Sequence, residues 1–99
     1  MENKTKTMLI NIMEESAEII QVCSKSIRFG LTGHHPNKTK THDHEILTEY
    51  YHLQALIEKL QRDKVLPTYS EDHILSIKKD KLRRMKNNDN QSNDKRKKY

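Results

Sequence analysis

The chain has little of what usually stabilises a small domain. It has one cysteine, Cys23, so no internal disulfide can form, a pattern suited to a reducing cytoplasm. It has no run of about 18 apolar residues, which excludes a membrane span. The opening MENKTKT has no apolar stretch and small-residue cleavage site behind it, so no secretory signal is expected. Apolar residues make up 32% of the 99 positions and charged residues 33%, so a single chain can bury only a modest core. There is no internal repeat.

Charge is also unevenly supplied. The net charge is +5, of which residues 86–99 carry +3 and the remaining residues +2. The basic character is thus largely a property of the C-terminal end. It is weak grounds for a fold built to bind nucleic acid, and no specific nucleic-acid partner is expected.

What is present is helical periodicity. Residues 8–30 read MLINIMEESAEIIQVCSKSIRFG, with Leu9, Ile12, Met13, Ile19, Ile20 and Cys23 recurring at three- and four-residue steps. This predicts a helix from about Lys6 to Arg28, stopped by Gly30, with Cys23 as a small core residue. A loop follows over about 31–44, containing Gly33, Pro36, Asn37 and the histidines 34, 35, 42 and 44. No cysteine lies near those histidines and their spacing fits no zinc motif, so they read as loop residues. A second helix is expected over about 43–63, with Ile46, Tyr50, Leu53, Ile57 and Leu60 facing the core and Leu47 and Leu56 widening the stripe. Tyr50 and Tyr51 read as core and interface aromatics. Pro67 ends a short connector, and Ser70-Glu71-Asp72 caps a third helix whose second half is strongly basic. Residues 87–99 read as a disordered basic tail after a helical domain over 1–86. The expected fold is all-α, a bundle of about three helices per chain completed by oligomerisation.

Two short patterns carry chemistry: Glu15-x-x-Glu18, preceded by Glu14, and Glu49-x-x-His52. Like charges one turn apart repel, so a helix that crowds them beside its apolar stripe invites a cation. Two antiparallel helices packed along those stripes would bring the four side chains to one point, as bundle proteins do for interior metal sites. Carboxylate oxygens suit Mg²⁺ or Mn²⁺. Lys25, Arg28, Lys38, Lys40 and the basic third helix supply a rim able to receive a polyphosphate. The bland alternatives are a solvated acidic face, a His52 with no ligand role, and a helical oligomer that binds a protein partner.

The order Glu14-Glu15-Ser16-Ala17-Glu18, a variable loop, then Glu49-Tyr50-Tyr51-His52 resembles the motif order of the all-α nucleoside triphosphate pyrophosphohydrolases, the MazG-like superfamily. The small phage-encoded members are most similar, through SKSIRFG after the acids, LTEYYHLQALIEKL in the second helix and the late Lys78, Lys81, Arg84 run. The resemblance spans roughly residues 8–86. It implies a homo-oligomer, a dimer or a tetramer, that hydrolyses a nucleoside triphosphate to the monophosphate and pyrophosphate with Mg²⁺. It implies Glu15, Glu18, Glu49 and the His52 position as metal ligands, Glu14 and Glu15 as catalytic acids, and Lys25, Arg28, Lys81 and Arg84 as phosphate-binding residues. One departure stands out: His52 occupies the place where the family has Asp. A neutral imidazole brings no negative charge and prefers softer metals. This leaves three outcomes: a working Mn²⁺ or single-Mg²⁺ site, a site retuned for another substrate, or a protein that holds and sequesters nucleotides, including signalling nucleotides of a phage host, without cutting them.

Overall fold

The computed structural model describes the backbone of residues 1–91 and the side chains of residues 1–87. All regular structure among the described residues is helical: α1 (Asn3–Phe29), α2 (His42–Arg62) and α3 (Glu71–Gln91). No helix among them is long and apolar enough to cross a membrane. The remainder of the stretch read as a basic tail, residues 92–99, lies outside the described residues. The chain divides into two compact units, 1–67 and 68–99. Each is taken by itself.

The first unit is a helical hairpin of α1 and α2. Its packing follows alternating steps of three and four. On α1 the inward positions are Thr5, Met8, Ile12, Glu15, Ile19, Val22 and Ser26; all are buried or half-buried. On α2 they are His42, Ile46, Glu49, Leu53, Leu56 and Leu60. This is the repeat that keeps one seam of each helix against a partner. Leu60, 1% exposed, and Val22, 6%, are its driest apolar positions, toward opposite ends of the hairpin. The hydroxyls of Ser16 and Ser26 donate back to the carbonyls of Ile12 and Val22, so neither enters the hairpin unsatisfied.

This seam corrects the expected one. Met13 and Ile20 are each 69% exposed, and Cys23 is exposed rather than a core residue. Leu47, Tyr50 and Tyr51 also face outward. The reason is that apolar residues on both helices spread over more than half the circumference. Periodicity identifies an apolar side but not which row meets the partner helix. The chosen row runs through Glu15 and Glu49 and leaves Met13, Ile20 and Ile27, spaced by seven, on a flank.

The loop over residues 30–41 is long for a helical hairpin but tightly tied. Gly30 ends α1 at φ 88°, a left-handed conformation that suits glycine, and its N–H donates to the Ser26 carbonyl at 2.8 Å. Gly33 passes so close to α1 that a Cβ there would sit 2.6 Å from the Phe29 carbonyl oxygen. α2 starts at His42, one residue earlier than expected. His42 is 3% exposed, its backbone N–H donates to the Gly33 carbonyl and its Nδ1 to the Gly30 carbonyl at 3.0 Å. Thr41 precedes the helix and its hydroxyl donates to the Asp43 carboxylate, which also accepts the His44 N–H. These bonds hold the Asp43 carboxyl below its ordinary value. At the far end, the Val65 and Leu66 N–H groups both donate to the Leu60 carbonyl, with Lys64 turning the chain at φ 60°.

The second unit contains α3. Ser70 caps it as expected, its Oγ accepting the His73 N–H at 3.1 Å. Tyr69 stacks on His73 with ring centroids 4.2 Å apart. Asp80 is the acid within the basic half and accepts from Arg83 at 2.6 Å and Arg84 Nε at 3.1 Å. Those guanidinium groups hold its carboxyl below the usual range.

Candidate metal centre

The seam of the hairpin is interrupted once by charge. Glu15 of α1 and Glu49 of α2 take inward positions near the middle of their helices, where every neighbouring inward position on either side is apolar. His52, one turn on from Glu49, closes over them. Its Nδ1 lies 3.3 Å from Glu49 Oε2 and 3.6 Å from Glu15 Oε2. One ligand atom from each of the three residues falls within 4.8 Å of the others. The carboxylate of Glu18, one turn along α1 from Glu15, borders that of Glu49.

Electrostatics follows from the crowding. Burial raises the Glu49 carboxyl first, and the neighbouring Glu18 and Glu15 carboxylates raise it further; the His52 ring offsets part of this, and the net position is about 7. Near neutral pH, Glu49 therefore shares its time between the acid and the carboxylate. Glu15 Oε2 is buried and has no hydrogen-bond partner. A buried carboxylate oxygen left unpaired costs about 1–3 kcal/mol or more, so this arrangement persists against a local penalty that a cation would relieve. The donor set is two carboxylates and one imidazole, with the Glu18 carboxylate at its border. That set accommodates Mn²⁺ well and Mg²⁺ through its oxygens. His52 is the most open of the group, with 56% of its side chain exposed, against 24% for Glu15 and 20% for Glu49.

Of the four residues expected to converge, Glu15, Glu49 and His52 are brought together, while Glu18 is exposed and borders Glu49. Glu14 is exposed and is not part of the group. Lys25 and Arg28 lie further along α1, about 15 Å or more from Glu15 at the helical rise, and line a separate cavity at the loop end. Lys81 and Arg84 belong to α3; both are exposed, and Arg84 is engaged by Asp80. The loop histidines form no metal-type grouping among the described residues. What sequence reading missed is the burial of His42 and the cavity beside it. The signal for it was the Arg28-Phe29-Gly30 helix end followed by two adjacent histidines.

Compared with family models, curated proteins and solved structures, the chain matches none.

Proposed function

We propose that this protein is a divalent-metal-dependent nucleotide pyrophosphohydrolase of MazG-like type. The observation that carries the reading is the meeting of Glu15 and Glu49 between apolar layers of the seam, with His52 closing over them and one buried carboxylate oxygen unpartnered. A hairpin gains nothing in stability from such a layer. Facing carboxylates in a partly dry seam are instead suited to holding a cation.

Glu15, Glu18 and Glu49 would hold Mg²⁺ or Mn²⁺, with His52 at the open edge. A bound divalent ion supplies charge neutralisation for phosphate oxygens and lowers the pKa of water. Glu49 would hold the ion as a carboxylate, and the attacking water would lose its proton to bulk solvent. Water adds to the α-phosphorus, the bond from that phosphorus to the bridging oxygen of the β-phosphate breaks, and a nucleoside monophosphate and pyrophosphate are released. Lys25, seven residues from Glu18 on the same face of α1, stands about 10 Å away on the approach to the site.

One observation favours a second reading. The His52 ring bridges Glu15 and Glu49, and as an imidazolium it would itself neutralise the pair. The protein would then hold a nucleotide without hydrolysing it. Incubation with nucleoside triphosphates and Mg²⁺ or Mn²⁺, followed by chromatography, separates the two. The first reading expects monophosphate and pyrophosphate, abolished by Glu15→Gln. The second expects triphosphate recovered intact from the heat-denatured protein, and activity gained on His52→Asp.

The opposite flank of the hairpin supports a homo-oligomer. By helical geometry, Met13 and Ile20 of α1 and Leu47 and Tyr50 of α2 lie on the side away from Glu18 and His52. Met13 and Ile20 are each 69% exposed and Leu47 52%, an apolar row that a second copy would cover. A second copy placed there completes a four-helix bundle and leaves both acidic flanks open.

A further inference from the structure

The cavity at the loop end of the hairpin is distinct from the carboxylate layer. Its volume is about 480 Å³, and Lys25, Arg28, Phe29, His34, His35 and His42 contribute to its wall. That is the size of a small-ligand pocket. It offers three kinds of chemistry. Lys25 and Arg28 are cations. Phe29 is a broad ring, 66% exposed, with the Arg28 guanidinium 5.4 Å from its centroid. An aromatic ring presented this way takes a flat, π-faced ligand. The third contribution comes from the three imidazoles, and their hydrogen bonds fix it.

Each neutral imidazole has one N–H and one bare nitrogen, and the partner of Nδ1 decides which is which. His35 Nδ1 accepts the Asn37 backbone N–H at 3.2 Å, so His35 carries its proton on Nε2 and is a donor there. His34 Nδ1 donates to the His35 carbonyl at 2.9 Å, so its Nε2 is an acceptor. His42 Nδ1 donates to the Gly30 carbonyl at 3.0 Å, so its Nε2 is an acceptor too. The three Nε2 positions are thus one donor and two acceptors. The complement is a flat heterocycle with one acceptor and two donors along an edge. Among the common nucleobases, only guanine has that edge, with O6 as acceptor and N1–H and N2–H as donors. Adenine lacks the second donor. Cytosine and uracil each present two acceptors.

We infer that this cavity is a nucleoside pocket that selects guanine nucleotides, the base lying against Phe29 and meeting the fixed tautomers of His34, His35 and His42. Lys25 and Arg28 take the first phosphate. Glu18, Lys25 and Phe29 share one face of α1, so a polyphosphate chain leaving the cavity heads toward the carboxylate layer. The base preference rests on the cavity alone. Only the direction of the phosphate chain rests on the pyrophosphohydrolase reading.

The test uses the full chain in chelator, without metal, so that hydrolysis plays no part. Guanosine, adenosine, cytidine and uridine 5′-monophosphates are titrated by calorimetry. Guanosine monophosphate binds at least about tenfold more tightly than the others, and His35→Asn, which keeps an acceptor near Asn37 but removes the Nε2 donor, erases that preference. Phe29→Ala weakens all four. Nitrogen chemical shifts of the histidine rings at pH 7.5 read the tautomers without any substitution: His35 protonated on Nε2, His34 and His42 on Nδ1. Equal binding of the four monophosphates, no binding of any, a preference unchanged in His35→Asn, or the opposite tautomers would overturn the inference. A failed hydrolysis assay would sink the enzymatic reading while leaving these outcomes to be read independently.

Discussion

The two ends of the hairpin seam and its centre are built from opposite materials. Leu60 and Val22 are nearly inaccessible and apolar, and around them the α1–α2 contact resembles any helical pair. At Glu15 and Glu49, the same inward positions carry carboxylates that repel one another and leave an oxygen unpartnered. The apolar layers hold the helices together, and the central layer works against them. A stretch that weakens the fold it belongs to is best explained by a task, and here Glu15, Glu49 and His52 each offer a ligand atom within 4.8 Å of the others.

That contrast can be broken from either side. The largest effect is expected at the centre. Glu15→Gln or Glu18→Gln should lower pyrophosphate release by at least about 100-fold, exceeding what loss of a metal site's outer support costs, while circular dichroism stays helical. The reverse is expected at Leu60. Leu60→Ala should cost about 2–5 kcal/mol in denaturant unfolding, because the space it leaves is walled by packed helix. Any loss of turnover there should track the unfolded fraction. Next is the flank: Ile20→Asp should lower the mass measured by light scattering toward that of one chain, since a charge is placed on the proposed contact between copies.

A smaller effect concerns pH. Glu49 holds its proton in the fold up to about 7, whereas the unfolded chain releases it near the ordinary value of 4.5. Between those values the folded state binds more protons, so stability in the absence of metal should fall as pH rises from about 4.5 to about 7, then level off. Glu49→Gln should flatten this slope in thermal melts, and Mn²⁺ should reverse it by favouring the ionised carboxylates. The smallest effect is at the edge of the second unit. Ser70→Ala removes the cap of α3 and should cost that helix about 1 kcal/mol, seen as a modest loss of helicity with no change in turnover.

Much of the site was legible in the sequence because it depends on local spacing. Glu15 and Glu18 share a face whenever their segment is helical, and so do Glu49 and His52. Gly30 stopping α1 and Ser70 capping α3 are likewise local facts. The row of α1 that meets α2 was not legible. Met13, Ile20 and Cys23 are as apolar as Ile12 and Ile19, and the choice between rows is made by the partner helix. That is why the inward place of Glu15 was not evident: it belongs to one of two apolar rows, and only the partner helix makes that row the buried one. The loop cavity was hidden for a different reason. His34, His35 and His42 acquire their roles from backbone carbonyls and an N–H brought near by the Gly30–Gly33 turn, and no spacing rule encodes those partners.

The most direct test of the central claim is a chromatographic assay of nucleoside triphosphates incubated with the purified chain and Mn²⁺ or Mg²⁺. The account predicts monophosphate and pyrophosphate in equal amounts, suppressed by chelator and by Glu15→Gln. Triphosphate left unchanged with either metal, or products formed equally by the Glu15→Gln chain, would contradict it.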